Sequence, residues 1–266
     1  MDTEFTVSFA DGEDESLIAA ASAAAFARID ELELLLTRFN DTSDVAVIRA
    51  LKPGDVAVVA PETMDVLVVS AQVAAATNGA FDPTVKARNF SDLMLDVDHL
   101  RVAVKKAPVE LDFGGVGKGY ALDAVAEILR SEQYGLTNWL LDAGTSTILA
   151  SGGPWPLGVG GVWKKRTRLD TVLKLSEGAL SGSGFEIQGA HIFDPRTGAP
   201  ATRWAQSWSR AASAAVADAL STAALSLEPA ELTAAAEALD AAILVAREQR
   251  PFMDRFRDPL KWYGRM

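Results

Sequence analysis

The chain contains no cysteine. Disulfide frameworks, thiolate catalysis and Cys-ligated zinc or iron–sulfur centres are thereby excluded, and the redox state of its compartment is left open. Histidine is almost absent too, with only His99 and His191 among 266 residues. A metal held by several imidazoles is nearly excluded, so any metal must rest on oxygen donors, the preference of Mg²⁺, Ca²⁺ or Mn²⁺. Positive charge is in deficit: 25 Lys and Arg stand against 36 Asp and Glu, a net charge of −11. Such a chain repels nucleic-acid phosphates and anionic lipid, so neither is expected as a partner. A small anionic ligand needs a local cation or metal to offset that field. No apolar run is long enough to span a bilayer, so no transmembrane segment is expected. The acidic N-terminus lacks the basic and apolar regions of a signal peptide. As the sequence stands it reads as cytoplasmic, and as exported if a leader has been trimmed.

Apolar residues make up 49% and charged residues 23%, the balance of an ordinary globular protein with a well-buried core. No repeat, low-complexity linker or compositional boundary interrupts it, so residues 1–266 read as a single domain. Alternation of Phe5, Val7 and Phe9 with Thr6 and Ser8 predicts a strand over 5–9. Helical spacing of Ile29, Leu32 and Leu36 predicts a long amphipathic helix over 16–39. Further helices are expected over 45–51, 62–77 (entered at Pro61, ended by Asn78 and Gly79), 120–131, 211–227 and 229–240. Strands are expected over 56–59, twice within 95–106, and over 109–113, 138–142, 156–162, 170–175, 191–193 and 241–247. The tail, 249–266, is aromatic and basic and shows no period. Helices and strands mix without strict β-α-β alternation, which points to α+β.

Five segments carry candidate chemistry. The strand at 109–113 runs into Gly114, Gly115, Gly117 and Gly119, with Lys118 at a helix start. Glycines let backbone approach an anion, and helix N-terminal N–H groups favour negative charge. The spacing is neither a P-loop nor a dinucleotide fingerprint, and a tight strand–helix turn accounts for it equally well. Asp218 and Thr222 share a helix face, where a carboxylate and a hydroxyl supply hard oxygens to Mg²⁺. A side-chain bond within the helix is the alternative. His191, before the 194–198 turn, is either a base or a packed structural residue; His99, in a polar stretch, is given no role. Asp82, in the loop 79–84, either contacts a ligand or organises an Asx turn. The small-residue stretches 143–147 and 181–184 either admit a bulky planar ligand close to backbone or are plain turns.

Taken together and in this order, these segments resemble the ApbE-type FAD:protein FMN transferases over nearly the whole chain. The matching stretches are 1–7, 37–44, 79–84, 111–120, 141–147, 183–184, 191–198 and 217–222; each is weak alone, and their shared order is specific. The resemblance implies an α+β fold of mixed sheets with flanking helices and a ligand cleft between two subdomains. It implies a Mg²⁺-dependent transferase that takes FAD as substrate, moves its FMN half onto a Thr or Ser hydroxyl of an acceptor flavoprotein, and releases AMP. Residue by residue, it implies Mg²⁺ held by the carbonyl of Gly115 and by side-chain oxygens of Asp218, Thr222 and Ser221. FAD contacts would come from Met1, Asn40, Asp82, Asp112, Lys118 and the backbone at Ile192, and His191 would be the base near the transferred phosphate. The chain departs from the family pattern at Asp2, where Gly is usual, at 143–146, where Ala-Gly-Thr-Ser replaces Gly-Gly-Asp/Asn, and in a short loop before Asp112. The same site with water as nucleophile would make an FAD pyrophosphatase. A non-catalytic FAD-binding protein is the remaining alternative, and it has less need of metal ligands.

Overall fold

The computed structural model describes residues 3–10, 14–84, 88–144, 146–159, 162–163, 166–167, 171–184, 192–246 and 261–264. Along the chain, β1 (Phe5–Phe9) leads to α1 (Glu15–Leu36), α2 (Asp44–Ala50), β2 (Val56–Val58) and α3 (Pro61–Ala76). Then come β3 (Leu93–Asp96), β4 (Arg101–Val104), a 3₁₀ turn (Phe113–Gly115), α4 (Gly117–Arg130), β5 (Trp139–Ala143), β6 (Thr147–Ser151) and β7 (Trp155–Val159). The rest comprises β8 (Val162–Trp163), β9 (Arg166–Thr167), β10 (Thr171–Leu175), β11 (Gly178–Gly184), β12 (Gln206–Ala211), α5 (Ala214–Ala224), α6 (Pro229–Ala238), β13 (Ala242–Ala246) and β14 (Lys261–Gly264). The fold is α+β, as expected from the mixed pattern.

A seven-stranded antiparallel sheet in the order β1-β5-β6-β11-β12-β13-β14 forms the centre. A three-stranded sheet, β2-β4-β3, and a β7–β10 pair accompany it. Because strand side chains alternate, the large sheet has two distinct faces. Trp139, Leu141 and Ala143 of β5 point to the helices and join the main core. Leu140 and Ile148 point the other way, towards Trp155, Leu157, Leu173 and Leu175 of the β7–β10 pair. Each fully buried leucine, such as Leu141 or Leu149, contributes about 2 kcal/mol.

The helices begin where local chemistry starts them. The Asp14 carboxylate accepts from the N–H groups of Ser16 and Leu17, and Ser43 caps α2 through Ala46. Helix α1 buries Ala21, Ala25, Ile29, Leu32 and Leu36, one stripe at helical spacing. It stops at Leu36 rather than at 39 because Thr37 turns extended while its N–H still bonds to Glu33 O. No described helix is long and apolar enough to cross a membrane.

The structure corrects the expected strands in several places. Residues 109–112 are not a strand: the Asp112 N–H bonds to Pro83 O at 2.7 Å, so that segment is tied to a loop rather than to a sheet neighbour. Helix α4 starts at Gly117, inside the glycine cluster. Residues 181–184 are no turn but the end of β11, paired with β12 along its length. Strands β6, β12 and β14 carry no apolar alternation that would have announced them. In 191–193 the described residues form only an isolated bridge, Phe193 to Pro200.

Candidate active site

Helix α5 is built largely of alanine and lies on the large sheet over β11 and β12. Alanines alone define its position poorly, because they offer few knobs to lock into the strands. Buried hydroxyls do that work. Ser209 donates to Ala217 O, and Ser207 donates to Ser221 O. Helix α4 crosses α5 so closely that a Cβ at Gly119 would lie 2.1 Å from Ala214 O, which only glycine avoids. Asp123 of α4 completes the junction by accepting from Ser213 Oγ (2.7 Å), Ala214 N (2.8 Å) and Ala215 N (2.9 Å), capping α5. Burial pushes the Asp123 carboxyl above the ordinary carboxylate range, while these bonds pull it back.

This packing buries Asp218, which is 2% exposed. A buried carboxylate is costly unless it is well partnered. Its Oδ2 accepts from Gly119 N at 3.1 Å and lies 3.5 Å from the Lys118 ammonium. Its Oδ1 accepts from Thr147 Oγ1 at 3.1 Å and Ser181 Oγ at 3.4 Å. Next to it, Ser183 Oγ lies 2.8 Å from Ser221 Oγ and 3.3 Å from Thr222 Oγ1. The 3₁₀ turn approaches from the other side: Lys118 Nζ donates to Gly114 O at 2.6 Å, and a Cβ at Gly115 would lie 3.3 Å from Thr222 Oγ1. Lys118, Gly115, Asp218, Ser221 and Thr222 therefore meet in one place. Their donors are a carboxylate, hydroxyls and backbone carbonyls, hard oxygens that suit Mg²⁺. Among the described residues no cluster of three His, Cys, Asp or Glu forms, so a metal here would take this mixed set.

The other expected residues that are described hold partners of their own. Asp112 caps the 3₁₀ turn through Gly114 N (2.9 Å) and faces Arg38 Nε at 3.4 Å. Asn40 sits in the same 37–43 loop as Arg38, and its side chain accepts from Thr42 N and Oγ1. Asp82 organises its own turn, accepting from Thr84 N (2.7 Å) and Oγ1 (2.5 Å). It also lines a cavity of about 410 Å³ with Phe81, Arg88, Phe90 and Arg196. Phe81 joins that cavity to the centre, since its ring edge would lie 3.5 Å from a Cβ at Gly115. The Ile192 carbonyl accepts from Ala201 N at 3.0 Å. Arg196 pins the 194–198 turn, donating to Asp194 (2.9 Å), Glu231 (2.7 Å) and Ser226 O (3.1 Å). Met1 and His191 lie outside the described residues.

Sequence reasoning placed Thr147 and Ser181 only within the small-residue stretches 143–147 and 181–184, without a tie to Asp218, and passed over Asp123. The one available signal was Ser181 and Ser183, two apart and hence on one face if that stretch is a strand. Asp142, beside the 143–147 motif, points to the opposite face. Burial pushes its carboxyl up to about 6, and its Oδ1 has no hydrogen-bond partner among the described residues.

The ApbE family model matches residues 1–89 and 85–245. The FAD:protein FMN transferase of Klebsiella pneumoniae is 24% identical over 235 residues, 72% of this chain and 66% of that protein. The Escherichia coli K12 protein of the same name is 26% identical over 208 residues, 62% of this chain and 56% of its own length. The chain thus spans two thirds or less of these curated relatives. Among solved structures, the flavin transferase ApbE of Vibrio cholerae superposes with a TM-score of 0.81 at 19% identity, covering 99% of this chain and 94% of that one. The ApbE protein of Thermotoga maritima gives a TM-score of 0.76 at 24% identity, covering 91% and 90%. Since the family model covers most of its residues and solved members share its architecture, the chain belongs to the ApbE family.

Proposed function

We propose that this chain is a Mg²⁺-dependent FAD:protein FMN transferase, moving the FMN half of FAD onto a Thr or Ser hydroxyl of an acceptor flavoprotein and releasing AMP. The observation that carries the reading is the buried Asp218, flanked by Ser221, Thr222 and the carbonyl-bearing turn at Gly114 and Gly115. A protein of net charge −11 has reason to concentrate cation-binding groups where it must hold a pyrophosphate. The names of the Klebsiella and Escherichia relatives support the same activity.

Asp218, Thr222, Ser221 and the Gly115 carbonyl would hold the metal, which when bound neutralises charge on the pyrophosphate. The Lys118 ammonium adds a second positive charge beside the same carboxylate. Asp112 and Asp82 shape the turns that border the ligand, with Asn40, Met1 and Ile192 as further FAD contacts. The acceptor hydroxyl oxygen attacks the phosphorus of the FMN half. The bond from that phosphorus to the bridging oxygen breaks, AMP leaves with that oxygen, and the hydroxyl proton passes to His191, whose neutral form is available near neutral pH.

The test is incubation of the purified protein with FAD and Mg²⁺, with and without a Thr-containing acceptor fragment, following AMP and covalent flavin fluorescence. A fluorescent acceptor together with AMP, both lost on chelating the metal, is the expected result. AMP in every tube regardless of acceptor would replace the transferase with a pyrophosphatase, and bound FAD with no AMP would leave only a binding protein.

A further inference from the structure

The Asp218 carboxylate has two differently dressed oxygens. Oδ2 faces the Gly119 N–H and the Lys118 ammonium. Oδ1 faces only the hydroxyls of Thr147 and Ser181 among the bonds described. These two residues are directly paired across β6 and β11, both are 0% exposed, and their hydroxyls lie 3.0 Å apart. Each hydroxyl has one proton to donate. Ser181 has other acceptors in reach, Ser146 O at 3.2 Å and Ser221 Oγ at 3.3 Å. A carboxylate is the strongest acceptor available, since a charge-assisted bond is roughly twice as strong as a neutral one.

Interior strand positions favour apolar β-branched residues, and a buried hydroxyl is a liability unless bonded. Valine would fill the space of Thr147 with no such cost. We propose that Thr147 and Ser181 are positioning residues: their hydroxyls clamp Oδ1 so that the Asp218 carboxylate meets a divalent cation in one orientation. The inference rests on the metal-dependent reading above. Ser207 and Ser209 supply the contrast within the same sheet. They are as deeply buried but donate to helix carbonyls, so they hold α5 without touching the carboxylate.

The experiment measures Mn²⁺ binding directly, by loss of the free-ion paramagnetic resonance signal, on the full chain with FAD present. Thr147→Val and Ser181→Ala should each weaken Mn²⁺ binding about tenfold, while Thr147→Ser stays within about twofold of the unsubstituted chain. Turnover should show the same split, with the Mg²⁺ requirement rising and the rate at saturating Mg²⁺ nearly kept. Ser209→Ala, which loosens α5 without touching the carboxylate, should lower thermal stability and weaken Mn²⁺ binding less than either clamp substitution. Unaltered Mn²⁺ binding in Thr147→Val and Ser181→Ala overturns the proposal, as does equal weakening in Ser209→Ala. If circular dichroism shows Thr147→Val unfolded, Ser181→Ala decides by itself: weakened binding supports the clamp and unchanged binding overturns it. Failure of the unsubstituted chain to bind Mn²⁺ would sink the metal reading and the clamp with it, and that result is visible before any substitution.

Discussion

The two faces of the central sheet solve burial by different physics. On the face under α5, Thr147, Ser181, Ser183, Ser207 and Ser209 each find an acceptor or hydroxyl partner on the helix. On the opposite face, Leu140, Ile148, Leu180, Trp208 and Leu244 pack against Trp155, Leu157 and Leu175. A carboxylate on that face, Asp142, leaves its Oδ1 without a hydrogen-bond partner among the described residues. Hydrogen bonds to a charged acceptor are directional and define a position to a fraction of an ångström. Apolar area is not directional and tolerates repacking. Site geometry therefore belongs to the first face, and generic stability to the second.

Substitutions can break or sharpen that division. Asp218→Ala removes the carboxylate at the centre and should cut flavin transfer about 1,000-fold, the several kcal/mol a metal supplies, with the circular dichroism spectrum kept. Retained transfer would remove the first face from the chemistry. Leu244→Ala, on the second face and 2% exposed, should cost about 3 kcal/mol in urea unfolding while turnover per folded molecule stays unchanged. A fall in turnover there would show that the faces are coupled. Gly119→Ala should cost about 2 kcal/mol, because its Cβ meets the backbone of α5. It should also slow transfer, since α4 carries Lys118 and would have to move away from Asp218.

The smallest expected effect is at Asp142. Its folded carboxyl is raised from 3.8 to about 6 by burial. The fold thus favours the protonated form, and the stability it contributes is present below 3.8 and lost as pH rises through about 6. Asp142→Asn should stabilise by about 1 kcal/mol above that window, after discounting for its partial exposure, and by nothing below it. Comparing urea midpoints on either side of the window checks the sign. A destabilised variant above it would mean the carboxylate has a partner on that face.

Much of this was legible locally. Helix α1 follows from the spacing of Ala21, Ala25, Ile29, Leu32 and Leu36, and α3 from Pro61 and the cap at Asn78 and Gly79, both of which adopt positive φ. These are interactions among near neighbours in the chain, so pattern reveals them. Strands β6 and β12 were not legible because hydroxyls stand where apolar side chains would announce a buried face: Thr147 and Ser151 flank Leu149 in β6, and Ser207 and Ser209 lie inward in β12. Gln206–Ala211 buries Ser207 and Ser209 and leaves Trp208 half-buried, which inverts the usual signal.

The candidate site divides in the same way. The resemblance to the ApbE family singled out Asp218, Ser221, Thr222, Lys118 and Gly115; composition by itself only restricted a metal to oxygen donors, and the spacing of Asp218 and Thr222 left a side-chain bond within the helix open. The partners of the carboxylate could not be read so. Thr147 and Ser181 reach Asp218 across separations of 71 and 37 residues, through the pairing of β6 with β11 and the seating of α5 upon them. Strand pairing and helix seating are properties of the folded whole, set by register and packing rather than by any local stretch.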